Sequence, residues 1–280
     1  GWFAAWVALG ERIAGIAESS AAGGHRVSAA RAYLRAANYY ATAVNAISAL
    51  DEGTEQLLPT FRAHRAAWEG FVATTRWSVE RIDIPYEGTS MPGWIFQPDA
   101  SGAVRPTLVM NLGSDEAITG VWSEGGEGAL ERGYNVVVFE GPGQQSMLFE
   151  RGIPFRHDWE KVLTPVVDYL MTREDVDPDQ LTLYGVSQAG YWVPRALAFE
   201  HRFAAAIADG GVVDAARAFH QYIPHRILAA YLKGDKERFD KEMEFGFRLP
   251  GTRTGKLRWN FRSRPYGVTG YSALLDAVAQ

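Results

Sequence analysis

Residues 181–192 read Leu-Thr-Leu-Tyr-Gly-Val-Ser-Gln-Ala-Gly-Tyr-Trp, and they carry the strongest indication of the fold class. A strand-like apolar run leads into Gly185-Val-Ser187-Gln-Ala189, and a helical pattern follows at once. This pattern is typical of a nucleophile elbow, a sharp strand-to-helix turn that presents a serine. Because the turn is strained, the residues two before and two after the serine must be small, as Gly185 and Ala189 are. We therefore predict that Ser187 is a nucleophile; a serine in an ordinary turn is the alternative.

A second loop is expected beside the same serine. Residues 108–115, Leu-Val-Met-Asn-Leu-Gly-Ser-Asp, read as a strand that ends in a glycine loop before a helix. With a nucleophile elbow, such a loop supplies one backbone N–H of an oxyanion hole, and the residue after the serine supplies the other. We predict that these donors are the backbone N–H groups of Ser114 and Gln188. The alternative for this loop is a tight turn without a catalytic part.

The first segment of the chain, residues 1–76, carries a helical pattern. Apolar residues recur there at spacings of four and three, as they do on one face of a helix: Tyr33, Ala37, Tyr40, Val44 and Ile47. A break is expected at Asp51-Glu52-Gly53. We predict an N-terminal helical domain, whose aromatic stripes favour helix packing over a cofactor site.

From residue 77 the pattern changes to that of a sheet. Alternating residues predict a hairpin over 77–97. Apolar strand-like runs then alternate with helical stretches, at 107–112, 135–139, 181–184 and 204–208. This order is typical of the α/β class, with a mixed, mostly parallel sheet that is buried on both faces. We predict an α/β core over 77–211.

The remaining segment is helical and charged. Residues 212–265 are too many for an ordinary loop, so we predict a helical cap inserted into the core. The charge run at 233–238 then forms a solvated helix face. Residues 266–280 are predicted to begin a helix that returns to the core.

Composition excludes several classes of protein. The chain has 280 residues, of which 47% are hydrophobic, as in a globular protein with a large core. It has no cysteine, which excludes disulfides, thiolate zinc sites and a cysteine nucleophile within this sequence. The net charge of −5 argues against nucleic acid as a partner. Residues 2–9 form an apolar run that is too short to span a membrane. We expect a cytoplasmic protein that needs no membrane, metal or cofactor.

Three motifs together resemble those of one family. They are Phe139-Glu-Gly-Pro-Gly-Gln144, the elbow at Ser187, and Ala208-Asp-Gly-Gly-Val-Val-Asp214. The chain resembles an α/β-hydrolase of the branch with an N-terminal helical domain. That branch includes 2,6-dihydroxypseudooxynicotine hydrolase, polyketide-shortening hydrolases, and proteins similar to dipeptidyl aminopeptidase and acylaminoacyl-peptidase. The resemblance implies that Ser187 attacks a carbonyl after activation by a histidine that an acid holds. It also implies a homodimer, for which the Trp- and Ala-rich first helix is a candidate contact.

The rest of a catalytic triad is not readable in this sequence. In the family the order is serine, then acid, then histidine. His201, His220 and His225 follow Ser187. His201 is better explained by a structural role, as are the three earlier histidines, His25, His64 and His157, whereas His220 and His225 flank Pro224 and could each face the pocket, with the role of general base as the lesser alternative. Asp209 and then Asp214 are the candidate acids. Glu140, at the end of a strand, is interpreted as structural. No further strand pair can be recognised, so we expect a longer protein whose last two strands carry the acid and the histidine.

The resulting functional hypothesis is a serine hydrolase. Its helical regions favour an apolar or aromatic, polyketide-like small molecule bound between cap and core, cleaved at an ester or an activated C–C bond. An acyl-peptidase is an alternative, although no acidic pair in the cap stands out to hold a peptide amino terminus. A second alternative is a non-catalytic pseudo-hydrolase that binds a small ligand.

Overall fold

Three long helices form the N-terminal part of the protein. The computed structural model describes residues 1–50 and 53–280, and the helices are α1 (Trp2–Ala22), α2 (Arg26–Ala46) and α3 (Gly53–Thr74). Asp51 and Glu52, where a break was expected, lie outside the described residues. The helices cover one face of the sheet through an aromatic cluster, in which Trp68 packs edge-on against Trp94, Phe96 and Trp122.

The centre of the protein is a six-stranded mixed sheet. Its strands are β1 (Ser78–Tyr86), β2 (Thr89–Gln97), β3 (Arg105–Asn111), β4 (Asn135–Phe139), β5 (Val176–Val186) and β6 (Ala205–Asp209). The spatial order is β1-β2-β4-β3-β5-β6. The pairs β1–β2 and β2–β4 are antiparallel, and the others are parallel. The predicted fold class, a mixed and mostly parallel α/β sheet led by a hairpin, is confirmed.

The strand β6 differs from the prediction. A sheet buried on both faces was expected, but within the described residues β6 is an edge strand with mostly exposed side chains, and Ile207 is 58% exposed. By contrast, β4 lies between β2 and β3, and all five of its residues are buried. An apolar run alone does not distinguish a central strand from an edge strand, because the same residue types occur in both.

Short helices connect the strands of the core. They are α4 (Ile118–Val121), α5 (Glu127–Glu131), α6 (Gln145–Phe149), α7 (Glu160–Leu170) and α8 (Ala189–Leu197). Non-helical backbone at Gly125 separates α4 from α5. The short helix α6 was not predicted. Helices α7 and α8 cover the second face of the sheet, where Trp159 and Trp192 stack with ring centroids 4.1 Å apart.

The last part of the chain is helical. It contains α9 (Arg217–His220), α10 (His225–Leu232), α11 (Lys236–Gly246), α12 (Arg253–Ser263) and α13 (Tyr271–Val278). We expected the last of these to return to the core. In the structure it packs mainly on the cap, where Leu275 joins an apolar cluster with Phe239 and Met243. Among the helices of the described residues, none combines the length and the apolar character needed to cross a membrane.

Candidate active site

Ser187 lies at the sharp turn between β5 and α8. Its φ of 56° is in the left-handed region, which a residue other than glycine rarely adopts. The neighbouring glycines leave no room for a side chain: a Cβ on Gly185 would lie 2.5 Å from Val193 Cγ2, and one on Gly190 would lie 2.7 Å from the Asp209 carbonyl oxygen. The turn therefore has the conformation of an elbow, and the role of Ser187 as nucleophile stays a prediction.

The loop after β3 lies directly against this serine. A Cβ on Gly113 would lie 3.0 Å from Ser187 Cβ and 3.6 Å from its Oγ. Within residues 1–50 and 53–280, the backbone N–H groups of Ser114 and Gln188 donate to no protein acceptor. The structure thus brings together the three residues that the sequence singled out. Two unpaired N–H groups beside a serine can stabilise an oxyanion that forms on a bound carbonyl.

A half-buried carboxyl group, missed in the sequence, lies behind this loop. Glu116 Oε2 is 3.4 Å from the backbone nitrogen of Gly113, from which it accepts a hydrogen bond. Burial, together with repulsion from Glu124, raises the pKa of Glu116 to about 8. Burial also raises the pKa of Glu124, with a contribution from the charge of Asp209. The raised pKa favours the neutral form of Glu116, which places no negative charge beside the predicted oxyanion hole.

The candidate acids have other hydrogen-bond partners. Asp209 accepts a hydrogen bond of 2.6 Å from the hydroxyl of Tyr184. Burial and this bond raise the pKa of Tyr184. Asp214 accepts a bond of 2.9 Å from the backbone N–H of Ala216 at the start of α9. Both roles as acids stay predictions.

The structure does not bring a histidine to Ser187 within the described residues. None of the six histidines lines the cavity at this serine. His64 is fully buried between helices, where its Nδ1 donates to the carbonyl of Ala37 at 2.9 Å, and burial lowers its pKa to about 4. Among the residues that the structure describes, no group of three or more His, Asp or Glu side chains could hold a metal ion.

A cavity of about 220 Å³ opens at Ser187. Its walls come from separate parts of the chain: Asn45 of α2, Phe149 of the core, Phe219 and Phe261 of the cap, and Tyr266 just after the cap. Most of the lining is apolar or aromatic, which suits an apolar ligand.

The end of the cap and the residue that follows it contact the elbow and the core by hydrogen bonds. The hydroxyl of Tyr266 lies 2.8 Å from Gln188 Nε2 and 3.0 Å from its Oε1, so it exchanges hydrogen bonds with that amide. Burial raises the pKa of Tyr266 to about 12. The backbone N–H of Phe155 also donates to the Pro265 carbonyl at 2.7 Å. These contacts hold the turn before α13 over the cavity.

Glu140 has the structural position that was expected. Its carboxylate is fully buried, is paired with Arg65 of α3, and accepts a hydrogen bond from the hydroxyl of Ser146. The guanidinium of Arg65 also lies 4.7 Å from the centre of the Trp94 ring. The pair therefore connects the helical domain to the core. No sequence signal identified Arg65.

The chain is similar to several known hydrolases. The model of the prolyl oligopeptidase family matches residues 129–241. The chain is 31% identical over 248 residues to α/β hydrolase psoB of Aspergillus fumigatus, and 30% identical over 241 residues to a 20-hydroxy-prefusarin hydrolase of Gibberella moniliformis. Each alignment covers 83% of this chain, but the chain spans only 55% and 57% of those relatives. It is also 30% identical over 305 residues to hydrolase acrC of Aspergillus aculeatus, with 100% of this chain and 69% of that protein covered.

Solved structures show the same fold. The crystal structure of 2,6-dihydroxy-pseudo-oxynicotine hydrolase matches with a TM-score of 0.74, covering 100% of this chain and 67% of that one. A protein named AbyA5 matches with a TM-score of 0.58, covering 92% of this chain and 67% of that one. The sequence identities, 22% and 18%, limit this likeness to the fold.

Proposed function

The chain belongs to the α/β-hydrolase family, and from this premise we propose that it is a hydrolase with Ser187 as its nucleophile. The proposed substrate is an apolar or aromatic, polyketide-like small molecule, cleaved at an ester or an activated C–C bond. The observation that carries the proposal is the strained turn at Ser187, at the wall of a mostly apolar cavity. Beside it are the N–H groups of Ser114 and Gln188, which have no acceptor among the residues that the structure describes.

The geometry supports acyl transfer in two steps. Ser187 Oγ attacks the carbonyl carbon, and the carbonyl oxygen gains negative charge that the N–H groups of Ser114 and Gln188 stabilise. The proton of the hydroxyl passes to a base and then to the leaving group, which departs as an alcohol or, for a C–C bond, as a stabilised carbanion that takes up the proton. Water then hydrolyses the acyl-enzyme and restores Ser187. By the family order, the base is a histidine beyond the acid.

The lining of the cavity favours small organic substrates over peptides. Phe149, Phe219 and Phe261 offer aromatic surface around Ser187. A relative and a solved structure carry the names of small molecules, 20-hydroxy-prefusarin and 2,6-dihydroxy-pseudo-oxynicotine, in their descriptions. Acyl-peptidase activity is the second candidate, because the prolyl oligopeptidase model matches residues 129–241.

Active-site labelling tests the proposal. The full-length protein is treated with a fluorophosphonate, and peptide mapping locates the adduct, while p-nitrophenyl esters, an aryl 1,3-diketone and an acyl-peptide p-nitroanilide report the bond cleaved. We expect an adduct on Ser187, and ester or diketone cleavage that falls at least about 10³-fold in Ser187→Ala. The control is Ser19→Ala, a change at an exposed serine of α1.

Each other result contradicts part of the proposal. Unchanged hydrolysis in Ser187→Ala excludes this serine as nucleophile. Cleavage of the anilide alone favours the acyl-peptidase. A full-length protein that binds aromatic ligands without any adduct or turnover is a pseudo-hydrolase.

A further inference from the structure

Gln144 lies directly behind the loop that carries Gly113 and Ser114. Its side chain is in the turn between β4 and α6, and only 2% of the residue is exposed. The amide Nε2 donates to the carbonyl oxygen of Leu112 at 2.7 Å and to that of Gly113 at 3.2 Å. The amide Oε1 accepts from the backbone N–H of Gly141 at 2.9 Å. The side chain thus uses both its donor and its acceptor atoms while bridging two loops.

The contact with Gly113 has a geometric consequence for Ser114. The Gly113 carbonyl and the Ser114 N–H belong to one peptide group, which is planar and trans. In such a group the N–H points away from the C=O. A donor that fixes the Gly113 oxygen therefore also fixes the direction of the Ser114 N–H, which is one of the two proposed oxyanion donors.

The other contacts of the loop act on neighbouring peptide groups. Asn111 Nδ2 donates to the Leu112 carbonyl at 2.8 Å, and its Oδ1 accepts from Trp159 Nε1 at 2.8 Å. Glu116 accepts from the Gly113 N–H. Across the described ranges, Gln144 makes the protein hydrogen bond to the peptide that joins Gly113 to Ser114. Loss of this amide would leave the loop anchored but allow that peptide to rotate, since glycine resists rotation least.

We propose that Gln144 is a positioning residue, which holds the Gly113 carbonyl so that the Ser114 N–H points to the oxyanion of the reacting carbonyl. The inference rests on the proposed function, because it assigns a role within the same reaction. Gln144 does not contact the substrate and acts on the transition state only by orienting the Ser114 N–H. A change at Gln144 therefore affects turnover and leaves substrate binding nearly unchanged.

Two variants of nearly equal volume test the proposal in the full-length protein. Gln144→Met removes every hydrogen bond of the side chain. Gln144→Glu keeps an acceptor for the Gly141 N–H but turns a carboxylate towards two carbonyl oxygens. The control is Gln97→Met, because the half-buried Gln97 likewise loses a side-chain bond, 2.8 Å to Asp175, away from the loop. Hydrolysis of the best p-nitrophenyl ester gives kcat and KM, and thermal melting reports folding.

We expect kcat to fall about 10- to 100-fold in Gln144→Met, less than the 10²- to 10³-fold loss when an oxyanion donor itself is removed. KM should change by less than about threefold, and the affinity for an aryl boronic acid, which mimics the tetrahedral intermediate, should fall with kcat. In Gln144→Glu, activity relative to the parent protein should rise as the pH falls, because the protonated carboxyl can again donate.

The outcomes separate this inference from the proposed function. Activity that persists in Ser187→Ala defeats the proposed function and this inference with it. If Ser187→Ala is inactive while the folded Gln144→Met matches Gln97→Met in kcat, or loses activity only through KM, the positioning role alone is wrong. If Gln144→Met does not fold, the pH dependence of Gln144→Glu decides: a ratio to the parent that is constant with pH overturns the proposal.

Discussion

Replacing Arg65 by methionine should weaken the connection between the helical domain and the core. Arg65 is on α3, and its guanidinium pairs with the Glu140 carboxylate, whose side chain has no exposed surface. Methionine keeps much of the apolar stem that packs near Trp94 and Phe61 but removes the charge. Ser146 is then the remaining partner of a buried carboxylate.

The magnitude follows from how deeply the pair is buried. Removing one partner of a buried ion pair costs about 3–5 kcal/mol, because the other charge stays buried without compensation. The side chain of Arg65 is 21% exposed, so we expect the lower end, about 3 kcal/mol. For a chain of this size, that corresponds to a Tm lowered by roughly 6–12 °C.

Arg62 supplies a matched control on the same helix. It pairs with Glu150 at 3.5 Å, and the two side chains are 68% and 40% exposed. Such exposed pairs contribute about 0–1 kcal/mol, so Arg62→Met should be nearly neutral. Urea unfolding followed by circular dichroism, with thermal melting alongside, measures both variants.

A double variant completes this test. Arg65→Met with Glu140→Met replaces the pair by apolar groups and should recover most of the loss seen in Arg65→Met. The proposed importance of the buried pair is refuted if Arg65→Met lowers the free energy of unfolding no more than Arg62→Met does. It is also refuted if the costs of the two single substitutions simply add in the double variant, since residues that interact are not additive.

Three further predictions concern the surroundings of Ser187. The pKa of Glu116 is raised to about 8 from its usual 4.5, so the contribution of this carboxyl to stability is present below pH 4.5 and is lost as the pH rises to about 8. Glu116→Gln should flatten this part of a Tm-versus-pH profile, and an unchanged slope would contradict the prediction. Gly190→Ala should destabilise the protein by about 1–3 kcal/mol in urea unfolding, because its Cβ would lie 2.7 Å from a backbone oxygen; a neutral result means that the elbow and β6 can separate. Tyr266→Phe should lower stability by about 1 kcal/mol, since Gln188 loses its partner, and an unchanged melting curve would show that water replaces the hydroxyl.

The parts of the site that the sequence predicts are those fixed by local backbone geometry. Gly185, Ser187 and Ala189 lie within five positions of one another, and the small residues are required by a turn that those positions themselves form. The loop at Gly113 was predicted for the same reason. The fold class followed from the alternation of apolar strands and helices, whereas the spatial order of the strands came from the structure.

The features that sequence reasoning missed depend on contacts between distant positions. Arg65 and Glu140 are 75 positions apart, and Gln144 is 31 positions from Gly113. No periodicity links such residues, because each contact is set by how the elements pack. The raised pKa of Glu116 likewise arises from burial, which cannot be seen in a sequence.

The composite wall of the cavity has a consequence for how new specificities arise. Asn45, Phe149 and Phe261 come from the helical domain, the core and the cap, and none of them is part of the serine turn. Substitutions at these positions can remodel the space offered to a substrate while the reacting groups keep their geometry. Under the proposed function, a small combinatorial library at 45, 149 and 261 is therefore a suitable starting point for changing which acyl groups are accepted.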